Sequence, residues 1–192
     1  MDSKQLISGR LADHRKVLEL LMADEATLAA AASAARTMAD CFRRGGRVYF
    51  CGNGGSAADA QHLAAEFSGK FYKDRPSLPA EALHCNTSFL TAVANDYAFE
   101  KVYSRLVSGV GREGDVLVGI STSGHSVNIV EAFTEGRRIG MTTVAFTGAG
   151  GGAMAQLADI LIAVPSTDTP RIQEMHITLG HALCEWVEAE LF

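Results

Sequence analysis

His62 and Glu66 stand four residues apart in a stretch, 57–69, whose composition suits a helix, so both side chains leave one face about one turn apart. That spacing suits two ligands of a single metal ion. Gln173 and His181 occupy a second helix-compatible stretch, 170–190, opened by the capping pattern Asp168-Thr169-Pro170. Eight residues span ~12 Å of ideal helix, and spacing alone does not pair these two on one ion. His, Glu and amide donors do make zinc shells. A histidine that is merely a satisfied surface or core residue, and a glutamate that is merely exposed, are the alternatives these residue types leave open.

Two short loops supply a different chemistry. Cys51-Gly-Asn-Gly-Gly-Ser56 follows a strand-like run and precedes the helical stretch, and Ser121-Thr-Ser-Gly-His-Ser126 stands in the same strand-to-helix context. Glycines let the backbone approach a ligand, and a helix N-terminus offers free N–H groups and a partial positive charge to an anion. The first loop matches neither G-x-x-x-x-G-K-[ST] nor G-x-G-x-x-G, which disfavours a nucleoside triphosphate or a dinucleotide. An ordinary tight turn, with Ser56 as the helix cap, is its bland alternative. The second loop places four hydroxyls within six residues at a strand end. Hydroxyls and helix-end amides can saturate phosphate oxygens without lysine, so the phosphate reading is stronger there than at the first loop.

These residues need a scaffold, and the apolar patterning provides one. Residues 3–44 are rich in Ala, Leu and Met and predict two helices broken near Ala23-Asp24, the second ended by Gly45-Gly46. Five short apolar runs follow, 47–51, 80–84, 115–119, 142–147 and 159–164, alternating with helical stretches. That rhythm predicts an α/β fold: a doubly wound, mainly parallel five-stranded sheet with covered faces and an N-terminal helical pair. The expectation is one domain over 1–192, with helices in 1–44 and the α/β core with its last helix in 45–192.

Bulk properties exclude several classes. Seventeen basic and 22 acidic residues give a net charge of −5 with no basic cluster, so nucleic acid is an unsuitable partner. No run reaches the ~18 apolar residues of a membrane span, and the N-terminus has no apolar signal core, which predicts a soluble cytoplasmic protein. Cys41, Cys51, Cys85 and Cys184 are widely spaced, which fits reduced thiols and not a zinc ribbon. His14 and His84 have no motif context, and His176 is expected to pack on or cap the last helix. Trp186, with Leu183, Val187 and Leu191, reads as core or subunit contact.

Four separated segments carry a resemblance: Cys51-Gly-Asn-Gly-Gly-Ser-Ala-Ala-Asp-Ala-Gln-His62, Asn95-Asp96, the run from Gly111 to Gly124, and Arg171-Ile-Gln-Glu-Met-His176. In this order, over essentially the whole chain, they resemble the bacterial sedoheptulose-7-phosphate isomerase (phosphoheptose isomerase) family of the sugar-isomerase (SIS) domain superfamily. The resemblance implies Zn²⁺ held by His62, Glu66, Gln173 and His181. It implies substrate contacts from Asn53, Gly54, Gly55, Ser56, Glu66, Asn95, Asp96, Ser121, Thr122, Ser123, Ser126 and Gln173. Some relatives carry Asp directly before the Arg171 position; here Pro170 stands there, and Asp168 is left out of the site.

Ketose–aldose isomerisation needs a base at carbon and an acid at the carbonyl oxygen. Glu66 and His181 are the expected catalytic pair. The resemblance further implies conversion of sedoheptulose 7-phosphate to D-glycero-D-manno-heptose 7-phosphate for surface polysaccharide. It also implies a homotetramer with active sites near subunit interfaces. The alternative is a non-catalytic SIS protein that binds a replication initiator or senses a sugar phosphate. Such relatives lack counterparts of Glu66 and His181, and both are present here.

Overall fold

The computed structural model describes residues 2–192. Helices α1 (Ser3–Met22) and α2 (Glu25–Arg43) precede β1 (Val48–Gly52), α3 (Gly55–Ser68), β2 (Ala80–Ala82), α4 (Thr87–Asp96) and α5 (Val102–Val110). Then come β3 (Val116–Ser121), α6 (Val127–Ile139), β4 (Thr142–Thr147), β5 (Ile160–Ala163) and α7 (Thr169–Leu191). The break between the first two helices falls where the sequence placed it. Asp24 caps α2, its carboxylate accepting the Thr27 N–H at 3.1 Å and the Thr27 hydroxyl at 2.8 Å, which holds its pKa below the ordinary value.

All five strands run parallel in the order β2-β1-β3-β4-β5. Successive residues of β1 serve opposite faces: Val48 and Phe50 join one core with α2, α3 and α7, while Tyr49 and Cys51 join another with α5 and α6. Every residue of β1 and β3 is buried, the sign of a sheet covered on both sides. Strand ends differ from the sequence expectation by a residue or two because polar side chains fix them. Asp115, expected to begin a strand, instead accepts the N–H groups of Arg47 at 2.8 Å and Arg112 at 2.9 Å.

From β1 the chain proceeds toward β2, and from β3 toward β4, so adjacent strands send their connections in opposite directions. This reversal opens a crevice at the C-terminal ends of β1 and β3, where open α/β sheets bind ligands. Both candidate loops lie at this edge. Helix α7 returns beside α2 and α3. No helix among the described residues is long and apolar enough to cross a membrane.

Candidate active site

The first loop turns sharply into α3. A Cβ on Gly52 would sit 2.3 Å from the Ser56 carbonyl oxygen, and Gly54, the cap of α3, has φ +58°. Gly54 offers no side chain to the helix end, so Ser56 is not the cap; it lies buried in the first turn. A Cβ on Gly55 would meet the Gln173 amide nitrogen at 2.7 Å. Glycine at 55 therefore makes room for Gln173, from α7, to lie on the exposed N-terminus of α3.

The second loop is knit by its own hydroxyls. Ser121 Oγ lies 2.9 Å from Ser126 Oγ and 3.5 Å from Ser123 Oγ, and Ser123 Oγ accepts the His125 N–H. Ser126 is the cap residue of α6, yet its hydroxyl turns to Ser121 and makes no capping bond. The helix N-terminus is thus left without a side-chain acceptor, as an incoming anion requires. Gly124, at φ +66°, would place a Cβ 2.1 Å from the Gly151 carbonyl oxygen, and the Thr122 carbonyl accepts the Gly148 N–H at 3.0 Å. The loop after β4 holds this one in place.

Asn53 and Asn128 join the two loops. Each amide donates to the other's oxygen at 2.9 Å. Asn128 is buried on the first turn of α6, and sequence reasoning missed it. Its one available signal was an amide placed directly after a serine-rich loop.

Helices α3 and α7 run side by side in the same direction, since Gly55 meets Gln173, Leu63 meets Gly180 and His62 meets His181. His62 Nε2 lies 3.1 Å from Glu66 Oε1 and 2.9 Å from His181 Nε2. The three ligand atoms fall within 4.8 Å of one another, the only such His/Cys/Asp/Glu group among the described residues. Two unprotonated ring nitrogens facing at this distance repel unless a proton or a cation lies between them. Tetrahedral zinc, with Zn–N near 2.0–2.1 Å, sets ligand atoms about 3.3 Å apart. Two imidazoles and a carboxylate at these separations therefore fit zinc chemistry. Gln173 sits two helical turns nearer the glycine loop, against Gly55. Asn95 and Asp96 end α4 as an exposed pair joined to each other at 2.8 Å, and neither hydrogen-bonds to the loops or the cluster within one chain.

The remaining histidines have structural partners or surroundings. His176 is buried, Nε2 donating to the Thr147 carbonyl at 3.0 Å, and burial pushes its pKa down to about 4. His14 Nδ1 meets Glu174 Oε2 at 2.8 Å, and burial lowers the pKa of His84.

Known proteins resemble this chain along its full length. The phosphoheptose isomerase of Burkholderia pseudomallei (strain K96243) is 50% identical over 194 aligned residues, covering 100% of this chain and 98% of the relative. The chain belongs to the phosphoheptose isomerase family. A family model described as a SIS domain matches residues 13–148, which leaves α7, with Gln173 and His181, to be accounted for by full-length relatives. The solved phosphoheptose isomerases of Neisseria gonorrhoeae (40% identity, TM-score 0.92) and Francisella tularensis (35%, 0.93) each align over 98% of this chain and 100% of their own. The phosphoheptose isomerase fold thus includes the helix that brings His181 to His62.

Proposed function

We propose that this protein is a phosphosugar isomerase that interconverts sedoheptulose 7-phosphate and D-glycero-D-manno-heptose 7-phosphate. The observation that carries this reading is the meeting of His62, Glu66 and His181 on α7 and on the helix that leaves the glycine loop, a loop joined to the serine loop by Asn53 and Asn128. The serine loop and the α6 N-terminus receive the phosphate, with Ser121, Thr122, Ser123 and Ser126 as donors. Asn53, Gly54, Gly55, Ser56, Asn95, Asp96 and Gln173 contact the sugar chain. Glu66 removes the proton at carbon and returns it to the neighbouring carbon; His181 delivers a proton to the carbonyl oxygen and takes one from the hydroxyl that becomes the new carbonyl. The enediol so formed is common to both sugars.

His62, Glu66 and His181 are the residues that would hold Zn²⁺, and Gln173, which lies against Gly55, would have to swing toward them to serve as the fourth ligand. Bound there, the ion would polarise the carbonyl oxygen and balance charge developing on it. Assembly as a homotetramer in the cytoplasm is part of the same reading, with the chain acting as one SIS domain. Leu6, Ile7 and Leu11 of α1 are exposed, as is Trp186 of α7, and a neighbouring subunit that covers them would bring the exposed Asn95 and Asp96 to an active site. The deciding experiment incubates the purified protein with sedoheptulose 7-phosphate, with and without a chelator, and follows the aldose phosphate. Formation that stops with chelation and resumes with zinc supports the proposal. Tight binding of the ketose without turnover would favour the non-catalytic alternative.

A further inference from the structure

Glu188 carries a carboxylate that is 2% exposed, far from water for an acid, and it lies seven residues beyond His181 on the same face of α7. Its oxygens accept the main-chain N–H groups of Phe71 at 3.0 Å, Tyr72 at 2.7 Å and Lys73 at 2.8 Å. Oε1 also accepts Arg75 Nε at 3.0 Å. The Arg75 guanidinium then reaches the end of α3, donating to the carbonyls of Glu66 at 2.8 Å, Phe67 at 2.7 Å and Gly69 at 3.2 Å. Those last-turn carbonyls have no partner inside their own helix. One ion pair thus ties the C-terminal end of the helix that bears His62 and Glu66 to the helix that bears His181. The segment between, 69–76, lays the Phe71 ring 5.8 Å from the His181 ring.

We propose that Arg75 and Glu188 are positioning residues, holding the 69–76 segment as a strap that sets the separation of His62 and Glu66 from His181. The proposal rests on the zinc-binding reading of that cluster. A buried ion pair is a poor device for stability alone, since apolar residues of equal volume do as well or better. What apolar residues could not do is satisfy three amides on one side and three carbonyls on the other. Burial raises the Glu188 pKa, but the bonds from Lys73, Tyr72, Phe71 and Arg75 outweigh it and leave the group at about 2. The carboxylate is charged wherever the enzyme works.

Zinc affinity, read by competition with a chromophoric chelator, tests the strap apart from turnover. Arg75→Lys and Glu188→Gln are each expected to weaken zinc about tenfold to hundredfold, the cost of losing an outer support, and to lower kcat while KM stays near its original value. Val107→Ala, in the core on the opposite face of the sheet, lowers the melting temperature but leaves zinc affinity alone. A second measurement needs no variant: by reciprocity, adding zinc to the unaltered protein slows hydrogen exchange at the amides of Phe71, Tyr72 and Lys73. Unchanged exchange in zinc-loaded protein, or variants that bind zinc and turn over normally, would overturn the strap and leave the active-site reading standing. An unaltered protein that takes up no zinc removes both.

Discussion

The loop from Ser121 to Ser126 is knit by its own hydroxyls and braced at one point by the turn after β4, whereas the cluster of His62, Glu66 and His181 is held wholly by residues outside it. In the loop, hydroxyls two and five residues apart bond one another, and the glycine-rich turn after β4 closes over Gly124. In the cluster, two residues 119 positions apart meet across parallel helices. Their meeting depends on small residues where the helices touch, Gly55 and Gly180, and on the distant pair of Arg75 and Glu188. An anion cradle needs donors that stay put, and a short loop between a buried strand and a helix provides them. Proton transfer needs a base at carbon and an acid at the neighbouring carbonyl oxygen. Two separate elements provide that more readily than one.

This difference predicts that damage to one region spares the other. Glu66→Gln keeps the shape of the side chain but removes the basic oxygen, so kcat should fall about 10³-fold, within the range of a general base, with KM little changed. Steady-state kinetics with zinc content measured alongside checks it. A variant with kcat near that of the unaltered protein would take Glu66 out of the reaction.

Acid should loosen the helix side first. His176 sits on α7 between Gln173 and His181 and ties that helix to the Thr147 carbonyl at the end of β4. Its folded pKa, about 4, lies below the ordinary 6.5, so between those values the unfolded chain binds the proton and the folded chain does not. The neutral anchor therefore contributes fully above pH 6.5, and its contribution shrinks as pH falls toward 4, by about 3 kcal/mol in total. His176→Gln should flatten the fall in melting temperature across that window. An equally steep fall in the variant would show that other groups govern acid unfolding.

The loop side answers to a different change. Ser121→Ala and Ser123→Ala together remove two donors to a charged phosphate, each worth about 1.5–3 kcal/mol at most, and water offsets part of the loss. KM for the phosphorylated ketose should rise tenfold to a hundredfold, with zinc affinity untouched. An unchanged KM would place the phosphate elsewhere.

Legibility followed the same division. The strands, the helix break at Asp24 and both loops were readable because their signals are local: apolar runs, a cap residue, glycines and hydroxyls in consecutive positions. His62 and Glu66 were readable as a pair from helical spacing. Nothing in spacing brought His181 to them, because the contact depends on how α7 packs; the family resemblance supplied it. Arg75 and Glu188 gave no signal, since a buried acid whose partners are main-chain amides looks in sequence like any surface glutamate near a helix end. Asn128 escaped notice for a similar reason, its partner lying 75 residues away.

Asn128 also gives the subtlest test, because it is where the two loops meet. Its amide and that of Asn53 exchange two hydrogen bonds of 2.9 Å, so Asn128→Ala strands one donor and one acceptor of Asn53. Asn53 is only half-buried, and water can reach it, which keeps the expected loss near the low end of the range, about 1 kcal/mol. For a chain of this length that corresponds to roughly 2–4 °C in melting temperature. The first loop, released from the second, should then orient the sugar less well, raising KM a few fold while the cluster on α3 and α7 keeps its zinc. Calorimetry and kinetics on the same preparation check both halves. If KM stays constant while the melting temperature falls, the pair serves only the fold, and the two loops bind their parts of the substrate independently.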